Sequence, residues 1–117
     1  MIRQLIKLIP MNKRYKVRVN NLKKADDIVI AKSKRKIVSM AFINKILWMP
    51  FITFITHKDY KRKGFASRCF NKIKNKYKLI FTTIRYPNVP SARFIQKHNF
   101  KTLLIIPQVV SVFYWVR

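Results

Sequence analysis

The apolar residues of this chain change period at its only glycine, Gly64. Upstream the apolar segments are short and β-branched. Downstream, Ala66, Cys69, Phe70, Ile73 and Tyr77 recur at helical spacing and mark one face of a helix. A chain that switches so abruptly predicts strands packed against helices. Asp27 to Ala31 and Ile37 to Ile43, joined by the charged turn Ser33-Lys34-Arg35-Lys36, predict a hairpin. Met49 to Thr56 predicts a third strand, with Pro50 as a bulge or an edge entry. After the Gly64 helix, Leu79 to Thr83 predicts another strand. Pro90 then suits the first turn of a second helix carrying Ala92 and Ile95, with Asn99 as its left-handed C-cap. Thr102 to Ile106 and Val109 to Trp115, separated by Pro107, predict two closing strands. Arg3 to Lys24 has room for one or two short helices broken at Pro10. The expected order is strand, strand, strand, helix, strand, helix, strand, strand: a mixed α/β domain.

At 117 residues the chain suits one small domain, and half of it is hydrophobic, which excludes a disordered tail. The charge is extreme: 27 Lys and Arg oppose three acids, for a net charge of +24. Those acids are Asp26, Asp27 and Asp59, and Glu is absent. Such a surface predicts a polyanionic partner: RNA, DNA or an acidic protein. Cys69 is the only cysteine, so neither an internal disulfide nor a cysteine-rich metal site is expected, and no metal cofactor is predicted. A reducing, cytoplasmic setting follows as the default. The apolar N-terminal stretch is too short for a secretory signal. Ile37 to Thr56 carries Asn44 and Lys45 near its middle, which argues against a transmembrane segment.

The segment with most chemical content is Thr56-His57-Lys58-Asp59-Tyr60-Lys61-Arg62-Lys63-Gly64-Phe65-Ala66. It joins a strand to a helix through a basic loop. A helix N-terminus offers unpaired amides and a partial positive charge. Gly64 lets a ligand approach the backbone closely, and Lys61, Arg62 and Lys63 add charge. The segment reads either as a pyrophosphate cradle or as a solvated basic turn.

Lys61-Arg62-Lys63-Gly64-Phe65-Ala66 resembles the acetyl-CoA signature Q/R-x-x-G-x-G/A of the GNAT superfamily of N-acetyltransferases. The upstream residues lie in register with the family's V-x-P-x-Y-R-G-K-G. Further on, Asn88-Val89-Pro90-Ser91-Ala92-Arg93-Phe94-Ile95-Gln96-Lys97-His98-Asn99-Phe100 is similar to N-x-x-S/A-x-x-F-Y-x-x-x-G-F, with Asn88, Ser91, Phe94 and Phe100 aligned without gaps. The resemblance covers roughly the last two-thirds of the chain. It implies a GNAT-like mixed sheet with central antiparallel strands and crossover helices after Gly64 and Pro90. Residues 1–26 would be an abbreviated substrate-side segment and residues 27–117 the acyl-CoA-binding core.

The resemblance also implies acetyl-CoA as cosubstrate. Its pantetheine arm would pair with Phe54, Ile55 and Thr56, and its pyrophosphate would sit on the amides of Arg62 to Ser67. Asn88 and Phe94 would form the other wall. An amine would attack the thioester directly, with a backbone N–H near Ile55 stabilising the oxyanion. Two departures bear on catalysis. Ile95 stands where many members carry a Tyr that protonates the leaving thiolate, so Tyr86 is the substitute candidate. With no Glu, His57 is the candidate general base, a surface-loop histidine being its structural alternative. His98 reads as a helix-end cation. Phe113-Tyr114-Trp115 reads as core and edge packing, and Trp48 and Phe51 as core or as a wall of the acceptor site.

Two functions remain open on these residues. One is an acetyl-CoA-dependent N-acetyltransferase whose acceptor amine lies on a protein, an aminoacyl-tRNA, a nucleobase or a small molecule. The charge points the acceptor toward a nucleic acid or a nucleic-acid-associated protein and away from a polyamine. The other is a non-catalytic basic module on a GNAT-like scaffold that binds nucleic acid or a host protein.

Overall fold

The computed structural model describes residues 1–85 and 89–117, and within 89–92 the backbone alone. Two short helices open the chain, α1 (Ile2–Ile6) and α2 (Tyr15–Lys23). They precede β1 (Asp27–Ser33), β2 (Lys36–Ile46) and β3 (Met49–Thr56), then a 3₁₀ turn at Lys58–Tyr60 and α3 (Phe65–Ile73). Then follow β4 (Leu79–Arg85), α4 (Val89–Lys97), β5 (Lys101–Ile106) and β6 (Val110–Val116). The order of strands and helices is the one the periodicity predicts, and β3 has the predicted bounds.

The six strands form one mixed sheet in the order β1-β2-β3-β4-β6-β5. Every pairing is antiparallel except β3 with β4. Tight turns set the registers. Lys34 and Arg35 both take positive φ, 49° and 72°, as a two-residue hairpin with right-twisted strands requires. At the β2–β3 turn Leu47 does so too, with φ 59°. Trp48 therefore stands at the tip of a hairpin, 68% exposed, its ring edge-on to Phe81 at 6.3 Å. This corrects the core reading of Trp48. Its apolar character says nothing of burial once a turn lifts it off the sheet. Phe51 is half-buried and stacks on Phe81 at 5.3 Å.

Pro50 makes no bulge. It pairs with Lys45 in an unbroken register within an interior strand. The reason is phase. His57 N–H bonds Val38 C=O at 2.8 Å, which makes 57/38, 55/40, 53/42 and 51/44 the hydrogen-bonded pairs of the ladder. Pro50 thus sits where β2 asks for no donor.

Alternation along the strands gives each face its own core. On one face Leu5, Ile9 and Leu22 cover Met40, Phe42 and Ile55. On the other, Cys69, Phe70 and Ile73 of α3 and Ile95 of α4 cover Ala41, Ile43, Ile52 and Ile80. Phe113 and Trp115 pack on this second core, whereas Tyr114 between them points to the opposite face. The last strand is interior to the sheet; β5 is the edge, and it is exposed along its whole length.

Candidate active site

β3 and β4 run parallel and, among the described residues, pair only at Phe51 and Phe81. Thr82 adds one side-chain bond, its Oγ1 donating to Ile52 C=O at 3.2 Å. Beyond it the strands part toward their carboxyl ends, the end of a parallel pair where ligands generally bind. A cleft of about 650 Å³ occupies the gap, lined by Ile52 to Thr56 on one side and Thr82 to Arg85 on the other.

The ladder phase decides what the β3 wall offers. Ile55 directs its backbone N–H to β2, and its side chain lies in the α1–α2 core. Phe54 and Thr56 are in the opposite phase, so their N–H and C=O groups face the cleft. The expected donor near Ile55 is therefore its neighbour on either side. The side chain of Thr56 is tied back through its Oγ1, 2.8 Å from Ser39 Oγ.

The loop into α3 has an unusual backbone. Arg62 at φ 64° and Gly64 at φ 85° are both left-handed, and such alternation turns successive N–H groups into one concavity. Arg68 N–H makes the first helical bond, to Gly64 C=O at 3.1 Å. The earlier amides, Phe65 to Ser67, have no acceptor within the helix. Nor does α3 carry a side-chain cap or an acid in its first turn. The helix entrance therefore keeps unpaired donors and a partial positive charge. A Cβ on Gly64 would meet no atom within 4 Å, so the space before it is open.

Of the loop residues, Lys61, Arg62, Gly64, Phe65, Ala66 and Ser67 line the cleft. Lys63 does not; its ammonium lies over the Tyr60 ring, 5.8 Å from the centroid. Phe94 also lines the cleft and packs directly on Phe54, their ring centroids 4.6 Å apart. Ile95 is buried beside it and also touches the cleft. Asn99 closes α4 in the left-handed conformation, φ 61°. Tyr86 and Asn88 lie outside the described residues.

His57 is not among the residues lining the cleft. Its Nδ1 accepts the Asp59 backbone N–H at 3.2 Å, capping the 3₁₀ turn, which puts the neutral ring's proton on Nε2. His98 is no helix-end cation. It is half-buried against Phe94 and Phe70, and burial, then Lys97 and Lys74, pull its imidazole below the usual value of 6.5. Its Nε2 lies 2.8 Å from Ser67 Oγ, which ties the end of α4 to the first turn of α3. Cys69 is fully buried and burial pushes its thiol up, so it is not a nucleophile.

The three carboxylates are engaged elsewhere. Asp26 accepts from Lys45 N–H, Asp27 from Tyr77 and Lys76, and Asp59 lies beside His57. None lines the cleft, whereas Arg14, Arg18 and Arg85 do. Sequence reasoning missed these arginines. Their one local signal is the spacing of Arg14, Arg18 and Asn21, a helical stripe beside the core stripe Tyr15, Val19 and Leu22.

No family model and no curated protein matches the sequence. The fold, however, is that of solved acetyltransferases. A Desulfovibrio desulfuricans protein described as a GNAT-family acetyltransferase superposes with a TM-score of 0.80 at 8% identity, covering 98% of this chain and 91% of that one. The ribosomal-protein-S18-alanine N-acetyltransferase of Escherichia coli gives 0.75 at 10% identity, covering 98% and 86%. The protein yncA of Salmonella typhimurium, described as an acetyltransferase and solved with its cofactor acetyl-CoA, gives 0.68 at 11% identity, covering 92% and 74%. The GNAT-like fold expected from the two motifs is thus the fold of this chain.

Proposed function

We propose that the chain is an acetyl-CoA-dependent N-acetyltransferase. The observation that carries this reading is the coincidence, in one cleft, of a split parallel strand pair and an uncapped helix entrance with left-handed Arg62 and Gly64. The fit to the cosubstrate is chemical. Phe54 and Thr56 offer in-plane amides to the pantetheine arm, and the amides from Gly64 to Ser67, with Lys61 and Arg62, suit a pyrophosphate. Phe94 and Phe54, packed on each other, give the cleft one apolar wall. When bound, acetyl-CoA supplies a thioester: the acceptor amine forms a C–N bond to the acetyl carbon as the C–S bond breaks, and the amine's proton ends on the released thiol.

The remaining work falls to this chain's own groups. The Phe54 or Thr56 N–H is placed to hold negative charge on the acetyl oxygen. Tyr86, next in sequence after Arg85, is the proposed proton donor to the thiolate, since Ile95 carries no proton. His57 is the proposed base, acting through water once its Nδ1 is released from the Asp59 amide. The acceptor is an amine on a nucleic acid or a nucleic-acid-associated protein, drawn in by the +24 charge, in a cytoplasmic setting.

The test is calorimetric titration with acetyl-CoA after nucleic acid has been stripped at high salt, with Gly64→Glu alongside. Micromolar binding lost in Gly64→Glu is the expected result. A folded protein with no affinity for acetyl-CoA overturns the reading and leaves the non-catalytic basic module.

A further inference from the structure

The cleft passes through the sheet and opens on both faces. On the α3–α4 face its walls are those assigned above to acetyl-CoA. On the α1–α2 face the strands present the alternate residues, Thr53 and Ile55 from β3 and Thr83 and Arg85 from β4. Arg14 and Arg18 reach it from α2, one residue round the helix from the Tyr15, Val19 and Leu22 stripe that packs on the sheet. Three guanidiniums thus meet at the mouth on this face. No carboxylate lies within salt-bridge distance of any of them among the described residues. Arg18 is half-buried, and its proton affinity is lowered first by burial and then by Arg14 and Arg85. Like charges crowded into a partly desolvated site are unfavourable unless something of opposite charge joins them.

We propose that Arg14, Arg18 and Arg85 form an oxyanion subsite on the acceptor side of the cleft. The acceptor amine is then presented by a molecule that also carries a phosphate or carboxylate. This rests on the acetyltransferase reading and narrows its substrate class. Arginine suits the task because its planar fork binds two oxygens of either group at once. The subsite also has a consequence for the amine. Guanidiniums in excess of the bound negative charge disfavour an ammonium nearby, so more of the amine is neutral and nucleophilic.

The experiment is a titration of arginine-labelled protein, alone and saturated with acetyl-CoA, reading the arginine Nε–H resonances. The probes are O-phosphoethanolamine, β-alanine and ethanolamine, which carry a phosphate, a carboxylate and neither. The expected result is a saturable shift at Arg14, Arg18 and Arg85 with one or both anionic probes, the stronger of the two naming the source. The apparent affinity should exceed that for ethanolamine by roughly 10- to 100-fold, as expected for hydrogen bonds to a charged group. Arg35, at the distant β1–β2 turn, should not saturate. Arg18→Met should abolish the shifts at Arg14 and Arg85, whereas Lys78→Met, of equal net charge, should keep them. If Arg18→Met fails to fold, Arg85→Met, at an exposed strand end, serves in its place.

Equal shifts at all arginines, or shifts that survive both cleft variants, would overturn the subsite even if acetyl-CoA binds. Saturable arginine shifts in a protein that does not bind acetyl-CoA would support the oxyanion site and overturn the transferase reading instead.

Discussion

Replacing Gly64 by alanine separates the backbone demand of the α3 entrance from its packing. Gly64 has φ 85°, and a Cβ built there meets no atom within 4 Å. The substitution therefore carries no steric clash within the protein, only the penalty of a left-handed L-residue, about 1–2 kcal/mol. A stiffer unfolded chain returns up to about 1 kcal/mol of that. The net expectation is a loss of about 1 kcal/mol. Arg62, two residues earlier, already tolerates φ 64°. In urea, with a slope of roughly 2 kcal/mol per molar, the unfolding midpoint should fall by about 0.5 M. Acetyl-CoA affinity should fall by more than about tenfold, because the methyl group enters the open space through which the pyrophosphate approaches the amides. A stability loss above about 3 kcal/mol would mean that the Cβ is not in open space. An unchanged affinity in folded Gly64→Ala would refute the assignment of this loop to the cosubstrate.

Other perturbations have equally definite outcomes. Phe70 is fully buried and meets the rings of Phe54, Phe94, Phe100, His98 and Trp115, so Phe70→Ala should cost about 3–5 kcal/mol by urea unfolding. His98 has a depressed folded pKa. Its contribution is complete above the unfolded value of 6.5 and is lost as pH falls through the lower folded value, so the wild-type midpoint should drop from about pH 7.5 to about pH 5 more than that of His98→Asn. Tyr77 donates to Asp27, and burial and that carboxylate raise its phenol well above the usual value. Tyr77→Phe should cost about 1–2 kcal/mol, and the phenol should resist ionisation in alkaline ultraviolet titration until the protein unfolds. Cys69 should react with a thiol reagent only as fast as the protein opens, since its sulfur is buried and donates to Ser39 Oγ.

Local periodicity carried most of the fold. The β3 bounds, the helix beginning after Gly64 and the left-handed Asn99 all rest on rules that act within a few residues, and those rules were legible. What failed depended, Trp48 apart, on neighbours brought up by the tertiary fold. Trp48 looked like core because it is large and apolar, yet a two-residue turn places it in solvent. His98 read as a helix-end cation until the fold docked it on Phe70 and Ser67. Pro50 read as a bulge because its ladder phase is fixed only by the β2–β3 register. The site divides the same way. The amides of the Gly64 loop were legible because one segment contains them all. Arg14, Arg18 and Arg85 were not, because one helix and one strand, separated by most of the chain, bring them together.

The most direct test of the central claim is residue-by-residue amide mapping of the labelled protein on addition of acetyl-CoA. The account predicts the largest shifts at Phe54, Thr56 and Gly64 to Ser67, with the Ile55 amide, committed to β2, moving less than its neighbours on either side. Shifts spread over the basic surface with none concentrated on those amides, or an Ile55 shift larger than those of Phe54 and Thr56, would contradict it.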